Sequence, residues 1–281
     1  MMVGPKTGVI DSHGRFAWYE LITTDVQSAR SFYTKVMGWD ALDASAPGRP
    51  YILFTAGPTL VGGLMLLTKE AGETGARSGW IGYVAVDDVD ATADRVRQLG
   101  GAVHVPPTDV PGVSRYCIFA DPQTARLAAL KWRKPAQGQS PSLSARNHVA
   151  WQELLAANRE KALDFYVDLF GWQRVQTETA EFDTYQMFSA GGQTIGGITV
   201  RPPAISTPFW LYYFYVGDIA AAAQRVKAVG GRILDGPFEL SGGIWIVQCL
   251  DPQGAVFALT GARGEKAIGY FKDARGRRWS W

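Results

Sequence analysis

Two carboxylates stand in matching surroundings in the two halves of the sequence. Glu20 lies in the run Trp-Tyr-Glu-Leu, and Glu153 lies in the run Trp-Gln-Glu-Leu. A carboxylate among aromatic groups has its charged form disfavoured by desolvation, which raises its pKa toward a value useful in proton transfer. Each half also contains a tyrosine at a matching later position, Tyr83 or Tyr213. We therefore take Glu20 with Tyr83, and Glu153 with Tyr213, as candidate catalytic pairs of proton acceptor and donor.

These pairs belong to a repeat that covers most of the chain. Trp18 and Trp151 lie 133 residues apart, and later matches keep nearly the same offset. The other matched pairs are Phe32-Tyr33 with Phe165-Tyr166, Gly38-Trp39 with Gly171-Trp172, Tyr51 with Tyr185, Gly62-Gly63 with Gly196-Gly197, and Asp121-Pro122-Gln123 with Asp251-Pro252-Gln253. A spacing held over so long a stretch indicates two tandem copies of one unit.

Each copy divides again into two modules of the order βαβββ. In the first module, a strand over 16–23 precedes a helix that begins after Asp25 and ends at Gly38. The second module repeats this order, with Asp88 at the start of its helix. One such module cannot close a hydrophobic core by itself, so modules must pair. We therefore predict an α+β fold with four βαβββ modules, which form two tandem half-open barrel domains around cavities.

The composition of the chain argues against several classes of protein. The chain has 281 residues, of which 47% are hydrophobic and 19% charged, so it can bury two cores. Its net charge of +2 gives no electrostatic reason to expect nucleic acid or an acidic membrane as a partner. No apolar run approaches the ~18 residues of a membrane span. Two cysteines, Cys117 and Cys249, cannot form a disulfide framework. We expect a cytoplasmic protein.

Several short motifs recur along both copies and carry a family resemblance. They are Asp25 with Phe32-Tyr33 and Gly38-Trp39, Val86-Asp87-Asp88-Val89, Leu99-Gly100-Gly101 and Asp121-Pro122-Gln123, with their second-copy counterparts. This pattern resembles the vicinal oxygen chelate superfamily of glyoxalase I, bleomycin-resistance proteins and extradiol dioxygenases. We expect a first glyoxalase-like domain over 14–133, a linker over 134–146, a second domain over 147–263 and a basic, aromatic tail over 264–281.

In enzymes of this superfamily, the resemblance implies a divalent metal held by side chains on the first strand of each module and by carboxylates on the last strand. The implied positions hold Trp18, Ile81, Ala128, Trp151, Leu211 and Ala258. These side chains offer no lone pair suited to such a cation. The three histidines, His13, His104 and His148, show no ligand spacing among themselves. We therefore expect no metal and no cofactor, and we interpret the six positions as lining a ligand pocket.

The same register predicts which neighbours share the pocket. Side chains two residues apart on a strand share a face, so Glu20 and Ile22 accompany Trp18, and Tyr83 accompanies Ile81. Arg115 lies on a strand that we expect to border the first pocket. Its second-copy counterpart is the aromatic Trp245. This difference predicts an anionic ligand for the first copy and an apolar aromatic ligand for the second.

The Glu/Tyr pairs also have a structural interpretation, in which phenol and carboxylate satisfy each other where two strands meet. We favour it over a catalytic role because a residue needed twice at equivalent places is often needed by the fold.

Three functions remain after these observations. The first in rank is a metal-independent binding protein for a small aromatic or hydrophobic molecule, of the bleomycin-resistance type. The second is an enzyme of the same superfamily (a lyase, isomerase, hydroxylase or dioxygenase) that uses the Glu/Tyr pairs or a displaced metal site. The third is a scaffold that assembles through the aromatic tail. The partner we expect is a small-molecule ligand, with a homodimer as an open alternative to a monomer, and we expect no nucleic acid and no membrane.

Overall fold

The two copies fold into the predicted strands and helices. The computed structural model describes residues 13–73, 75–133, 149–176, 185–240, 242–264, 270–272 and 278–280. The first copy contains β1 Phe16–Thr23, α1 Val26–Met37, β2 Asp40–Asp43, β3 Ile52–Ala56, β4 Thr59–Leu66, α2 Lys69–Glu73, β5 Gly79–Ala85, α3 Val89–Gln98, β6 Ala102–Val110, β7 Ser114–Ala120 and β8 Arg126–Trp132.

The second copy repeats this order. It contains β9 Val149–Ala156, α4 Arg159–Phe170, β10 Gln173–Arg174, β11 Tyr185–Ala190, β12 Gln193–Val200, β13 Phe209–Asp218, α5 Ile219–Ala228, β14 Arg232–Leu240, β15 Ile244–Leu250 and β16 Val256–Ala262. Two further short strands, β17 Tyr270–Lys272 and β18 Arg278–Ser280, pair with each other in the tail. The predicted linker over 134–146 lies outside the described residues, as does His148.

Each copy builds one mixed eight-stranded sheet from two modules. The first sheet has the order β2-β3-β4-β1-β5-β8-β7-β6, and the second has the order β10-β11-β12-β9-β13-β16-β15-β14. The modules join at the antiparallel pairs β1–β5 and β9–β13. The predicted α+β fold of four βαβββ modules in two tandem domains is therefore confirmed.

The predicted helix boundaries follow from side-chain capping. The Asp25 side chain accepts a hydrogen bond from the Ser28 amide at the start of α1, and Gly38 ends that helix in a left-handed conformation, with φ of 71°. Asp88 and Asn158 cap α3 and α4 in the same way. These caps satisfy N–H groups that the first turn of a helix leaves without a partner.

Two elements differ from the prediction. Strand β6 continues through Pro106 and Pro107, although paired prolines, which have no N–H to donate, usually end a strand. It is an edge strand of its sheet, and its register to β7 shifts between Val105 and Thr108. The missing proline N–H groups therefore interrupt no regular run of interstrand hydrogen bonds. The five-residue α2 has no apolar periodicity, and none of its residues is buried, so the sequence carries no signal for it.

The four longer helices, α1, α3, α4 and α5, lie between the two sheets and give the copies one shared core. Phe32 of α1 packs against Phe257 of the second sheet, with ring centroids 5.8 Å apart. Phe119 of the first sheet contacts Phe170 of α4. Closer to the centre, the amide of Gly82 donates to the Tyr212 hydroxyl at 2.7 Å. The faces of the sheets that turn away from this core carry two separate apolar clusters. We call them the outer faces.

No helix in the described part of the chain is long and apolar enough to span a lipid bilayer.

Candidate functional site

The outer face of the first copy holds a connected polar group among aromatic side chains. The hydroxyls of Tyr51 and Tyr83 each donate to one carboxylate oxygen of Glu20, both at 2.5 Å. The indole N–H of Trp18 donates in turn to the Tyr51 oxygen at 3.1 Å. We call Trp18, Glu20, Tyr51 and Tyr83 the first tetrad. Glu20 is buried, and both of its oxygens accept hydrogen bonds within this tetrad.

Strand register brings the first tetrad together. On β1 and β5, Trp18 lies opposite Tyr83, which places Glu20 within reach of the Tyr83 hydroxyl. On the other side of β1, Glu20 lies opposite Gly63. A Cβ atom at Gly63 would lie 1.9 Å from the Tyr51 hydroxyl oxygen, so the missing side chain leaves the space that Tyr51 occupies.

Burial determines the protonation of the phenols. Desolvation raises the pKa of Tyr83 well above its ordinary value, and the Glu20 carboxylate raises it further. The pKa of Tyr51 is raised by the same two causes in the same order. Both phenols therefore stay protonated at neutral pH and donate hydrogen bonds to Glu20.

The second copy repeats this arrangement with Trp151, Glu153, Tyr185 and Tyr213, which we call the second tetrad. Tyr213 donates to Glu153 at 2.6 Å, and Trp151 donates to the Tyr185 oxygen at 2.6 Å. Tyr185 also makes a hydrogen bond to Glu153. Burial raises the pKa of Glu153, and the hydrogen bonds from Tyr213 and Tyr185 oppose part of that rise.

A cleft of 2220 Å³ opens beside the first tetrad. Its wall includes all four tetrad residues and is otherwise largely aliphatic or aromatic; examples are Ile22, Leu53, Ile81, Tyr116, Ile118 and Trp132. Trp132 packs edge-on against Trp18, with ring centroids 6.1 Å apart, and Tyr116 packs edge-on against Tyr83 at the same distance. The cleft also reaches residues 207–210 of the second copy. Its mostly apolar wall with a few polar groups is the wall chemistry of a small-molecule site, and its volume exceeds the roughly 300–1,000 Å³ that is usual for such sites.

The predicted pocket residues of the outer faces fall into those that line the cleft and those that do not. Trp18, Glu20, Ile22, Ile81 and Tyr83 line the cleft. The remaining predicted residues of the outer faces do not line this cleft and lie in or against the two outer apolar clusters. Ala128 belongs to the first-copy cluster, Leu211, Tyr213 and Ala258 belong to the second, and Trp151 packs against the second.

Arg115 does not border the cleft as predicted. It lies between Ser114 and Tyr116 on β7, so alternation turns it toward α3, where it makes two 2.7 Å hydrogen bonds to Asp90. Its counterpart Trp245 also packs against the shared core. The polarity difference predicted from Arg115 and Trp245 is therefore not a difference between the two pockets.

Sequence reasoning missed the tyrosines that complete the tetrads. Tyr51 precedes β3 and Tyr185 begins β11, far along the chain from the glutamates that they contact. Their recurrence as a matched pair beside recurring paired glycines was the available signal. Arg49, which also lines the cleft, carries a positive charge near Tyr51 and Tyr116.

The six positions where the resemblance implies metal ligands do not fit a divalent cation. Trp18 uses its one polar hydrogen on Tyr51, and the nearest carboxylate, Glu20, is held by two phenols. Ile81 and Ala128 pack in the outer apolar cluster. Among the residues that the structure describes, no three His, Cys, Asp or Glu side chains are grouped so that they could hold a metal ion.

Comparison with known proteins identifies the family. The family model of the glyoxalase/bleomycin resistance protein/dioxygenase superfamily matches residues 15–128 and again residues 146–259. The chain therefore belongs to this superfamily, and it carries the family unit twice.

Two relatives match over most of the chain. The chain is 31% identical over 245 residues to a protein named putative glyoxylase CFP32 from Mycobacterium tuberculosis (strain CDC 1551 / Oshkosh), with 86% of this chain and 92% of that protein covered. It is 29% identical over 262 residues to the anthracycline biosynthesis protein DnrV of Streptomyces peucetius, with 89% and 94% covered.

Solved structures share the fold at low sequence identity. The Mn(II)-bound glyoxalase from Novosphingobium aromaticivorans superposes with a TM-score of 0.60 and 17% identity, covering 91% of this chain and 85% of that chain. The 2,3-dioxygenase LapB from Pseudomonas sp. KL28 superposes with a TM-score of 0.62 and 12% identity, covering 96% and 97%. These structures support the tandem fold.

Proposed function

We propose that the protein binds a small aromatic or hydrophobic molecule in the first-copy cleft, without a metal ion. The observation that carries this proposal is the wall of the cleft. Trp18, Trp132, Tyr83 and Tyr116 line the cleft, and the half-buried Trp132 and Tyr116 expose aromatic surface to it. Such a wall favours a flat ring system, because stacked and edge-to-face contacts and the burial of apolar surface make its binding free energy more favourable.

The first tetrad supports binding rather than proton abstraction. Both Glu20 oxygens already accept phenol hydrogens at 2.5 Å, which stabilises the carboxylate and occupies the positions a substrate proton would need. The tetrad then serves to hold the aromatic side chains of the wall in one arrangement.

The name of one relative supports a polycyclic ligand. DnrV is named for anthracycline biosynthesis, and anthracyclines contain fused rings. A cleft of 2220 Å³ can accommodate several fused rings. We therefore propose polycyclic aromatic compounds as the ligand class to test first.

Calorimetric titration tests this function with a matched pair of variants. Tyr116 lines the cleft, whereas Ile246 occupies the same strand position in the second copy, and both side chains are half-buried. We expect Tyr116→Ala to weaken binding of a fused-ring compound by roughly tenfold, as loss of one aromatic contact implies. Ile246→Ala should leave the affinity unchanged. A panel of aromatic compounds that neither binds nor raises the melting temperature would rule the proposal out.

An enzyme is the second candidate, and the raised pKa of Glu153 favours it. A buried carboxylate of this kind suits general acid–base chemistry. If turnover is found, Glu153→Gln tests whether the second tetrad carries it, and Glu20→Gln tests the tetrad that lines the cleft. Unchanged turnover in both Glu153→Gln and Glu20→Gln would exclude the carboxylates from the chemistry.

A further inference from the structure

The charges that a ligand can reach in the first-copy cleft are mostly positive. Two carboxylates of the wall, Glu20 and Asp121, are buried, and both already accept hydrogen bonds from the protein. The other charged residues in the described part of the wall are half-buried or exposed, and they are Arg49, Glu70, Arg77 and Arg126. Three guanidinium groups and one carboxylate give the accessible wall a positive potential, which favours an anionic ligand.

Arg49 lies beside the aromatic part of this wall. It comes two residues before Tyr51 of the first tetrad, and it is half-buried. Burial and the Glu20 carboxylate raise the pKa of Tyr116, and the positive charge of Arg49 opposes part of that rise, so the guanidinium lies near this ring. Two backbone hydrogen bonds with Ala46, of 2.8 and 3.1 Å, hold the turn that carries Arg49. The backbone of this turn is therefore fixed beside the cleft.

In the described part of the chain, the side chain of Arg49 has no ion pair and no hydrogen bond. The other half-buried arginines of the described residues each have such a partner: Arg15 bonds to Gln193, Arg115 to Asp90, Arg159 to Glu160 and Arg201 to the Ile205 carbonyl. A guanidinium that is partly withdrawn from water without an acceptor costs free energy, and a carboxylate can accept two parallel N–H bonds from it. Arg49 is therefore the cation of this wall that is best placed to bind a ligand anion.

We infer that the first-copy cleft selects aromatic ligands that carry a carboxylate, and that the Arg49 guanidinium binds this carboxylate while Tyr116 and Trp132 contact the ring. The inference rests on the proposed function and specifies its ligand as an ionised aromatic carboxylic acid. The negative charge of Glu20 repels a ligand anion, so the ligand places its ring toward the first tetrad and its carboxylate toward Arg49. The planar guanidinium matches a carboxylate in geometry as well as in charge.

The test compares 2-naphthoate with 2-naphthamide by calorimetric titration of the full-length protein at pH 7. The two compounds share one ring system and nearly one shape, but only the naphthoate is ionised. We expect 2-naphthoate to bind roughly tenfold more tightly. Arg49→Gln should abolish this preference. Arg232→Gln, which removes one positive charge from an exposed position of β14 outside the cleft wall, should retain it.

Ionic strength provides a measurement that does not depend on any variant. Raising NaCl from about 50 mM to about 500 mM should weaken binding of 2-naphthoate several-fold and leave binding of 2-naphthamide nearly unchanged, because salt screens the contact between guanidinium and carboxylate.

The outcomes separate this inference from the proposed function. A preference that persists in folded Arg49→Gln overturns the inference, and so does an affinity for 2-naphthoate that does not change with salt. Equal affinities of the two compounds for the unmodified protein overturn the inference and leave the proposed function standing. Absence of binding by both compounds counts against both.

Discussion

The hydroxyl of Tyr33 in the first copy donates a hydrogen bond to the carboxylate of Asp251 in the second copy at 3.1 Å. The indole of Trp80 donates to the same hydroxyl at 2.9 Å. The second copy returns this contact, because Tyr166 donates to Asp121 at 3.1 Å. The Asp-Pro turn of each copy thus binds the first helix of the other, and the copies are joined by buried polar contacts as well as by aromatic packing.

Replacing Tyr33 should weaken this junction. Tyr33→Phe removes a buried donor from Asp251 and leaves the Trp80 N–H without its acceptor, so we expect a loss of about 1–3 kcal/mol in the free energy of unfolding. Tyr166→Phe should cost a similar amount, because Trp210 and Asp121 surround it in the same way. Urea denaturation measures both variants, and Thr34→Ala on the more exposed part of α1 serves as the control. Losses no larger than that of the control would contradict the proposed importance of these contacts.

The buried aspartates should make stability depend on pH in one direction. Burial raises the pKa of Asp251 above its ordinary value of 3.8, and it acts on Asp121 in the same way. The folded protein therefore keeps a proton on each of these carboxyl groups at pH values where the unfolded chain has released it. The contribution of the protonated Asp251 carboxyl to the free energy of unfolding is fully present below pH 3.8. It is lost as the pH rises through the raised pKa of the folded state.

The stability of the unmodified protein relative to Asp251→Asn should accordingly be largest in acid and should decrease as the pH rises. Denaturation of both proteins between about pH 4 and pH 7 measures this difference. A difference that increases with pH would show that the ionised carboxylate is the favoured form in the fold.

Gly63 should not tolerate even the smallest side chain. A Cβ atom there would meet the Tyr51 hydroxyl oxygen at 1.9 Å and the Glu20 Cγ at 3.0 Å. We expect Gly63→Ala to displace Tyr51 from Glu20 and to destabilise the protein by about 1–3 kcal/mol. Gly197→Ala should behave alike in the second copy, where Tyr185 lies 2.3 Å from the added atom. Gly217→Ala, which meets no described atom within 4 Å, is the matched control for thermal denaturation.

Chelation tests the prediction that the protein holds no metal and binds its ligand without one. Because apolar or already bonded side chains occupy the positions where the resemblance implies ligands, we expect EDTA to leave the melting temperature and aromatic-ligand affinity unchanged. Elemental analysis of the purified protein should find no stoichiometric divalent ion. A bound Zn, Fe, Ni or Mn at one per chain would show that other side chains supply a site.

The fold was predictable from sequence because its signals are local and occur twice. Asp25 and Gly38 bracket α1 by capping, which depends on a few adjacent residues. The pairing of Glu20 with Tyr83 followed from two-residue alternation on neighbouring strands. Tyr51 was missed because no periodicity connects it to Glu20; the empty space at Gly63 brings the two together.

Arg115 shows how one residue of register changes a functional interpretation. The correct strand was predicted, yet Tyr116, not Arg115, faces the cleft, because neighbouring residues of a strand point to opposite faces.

The sequence alone determined the twofold repetition, the order of strands and helices within the four modules and the residue types at the implied metal positions, since each depends on residue type and spacing along the chain. Only the tertiary structure decided that the two copies share a core through their helices, that Tyr33 reaches Asp251, and which face of β7 opens to the cleft. Contacts between distant segments depend on how the two sheets pack, and local periodicity does not encode that packing.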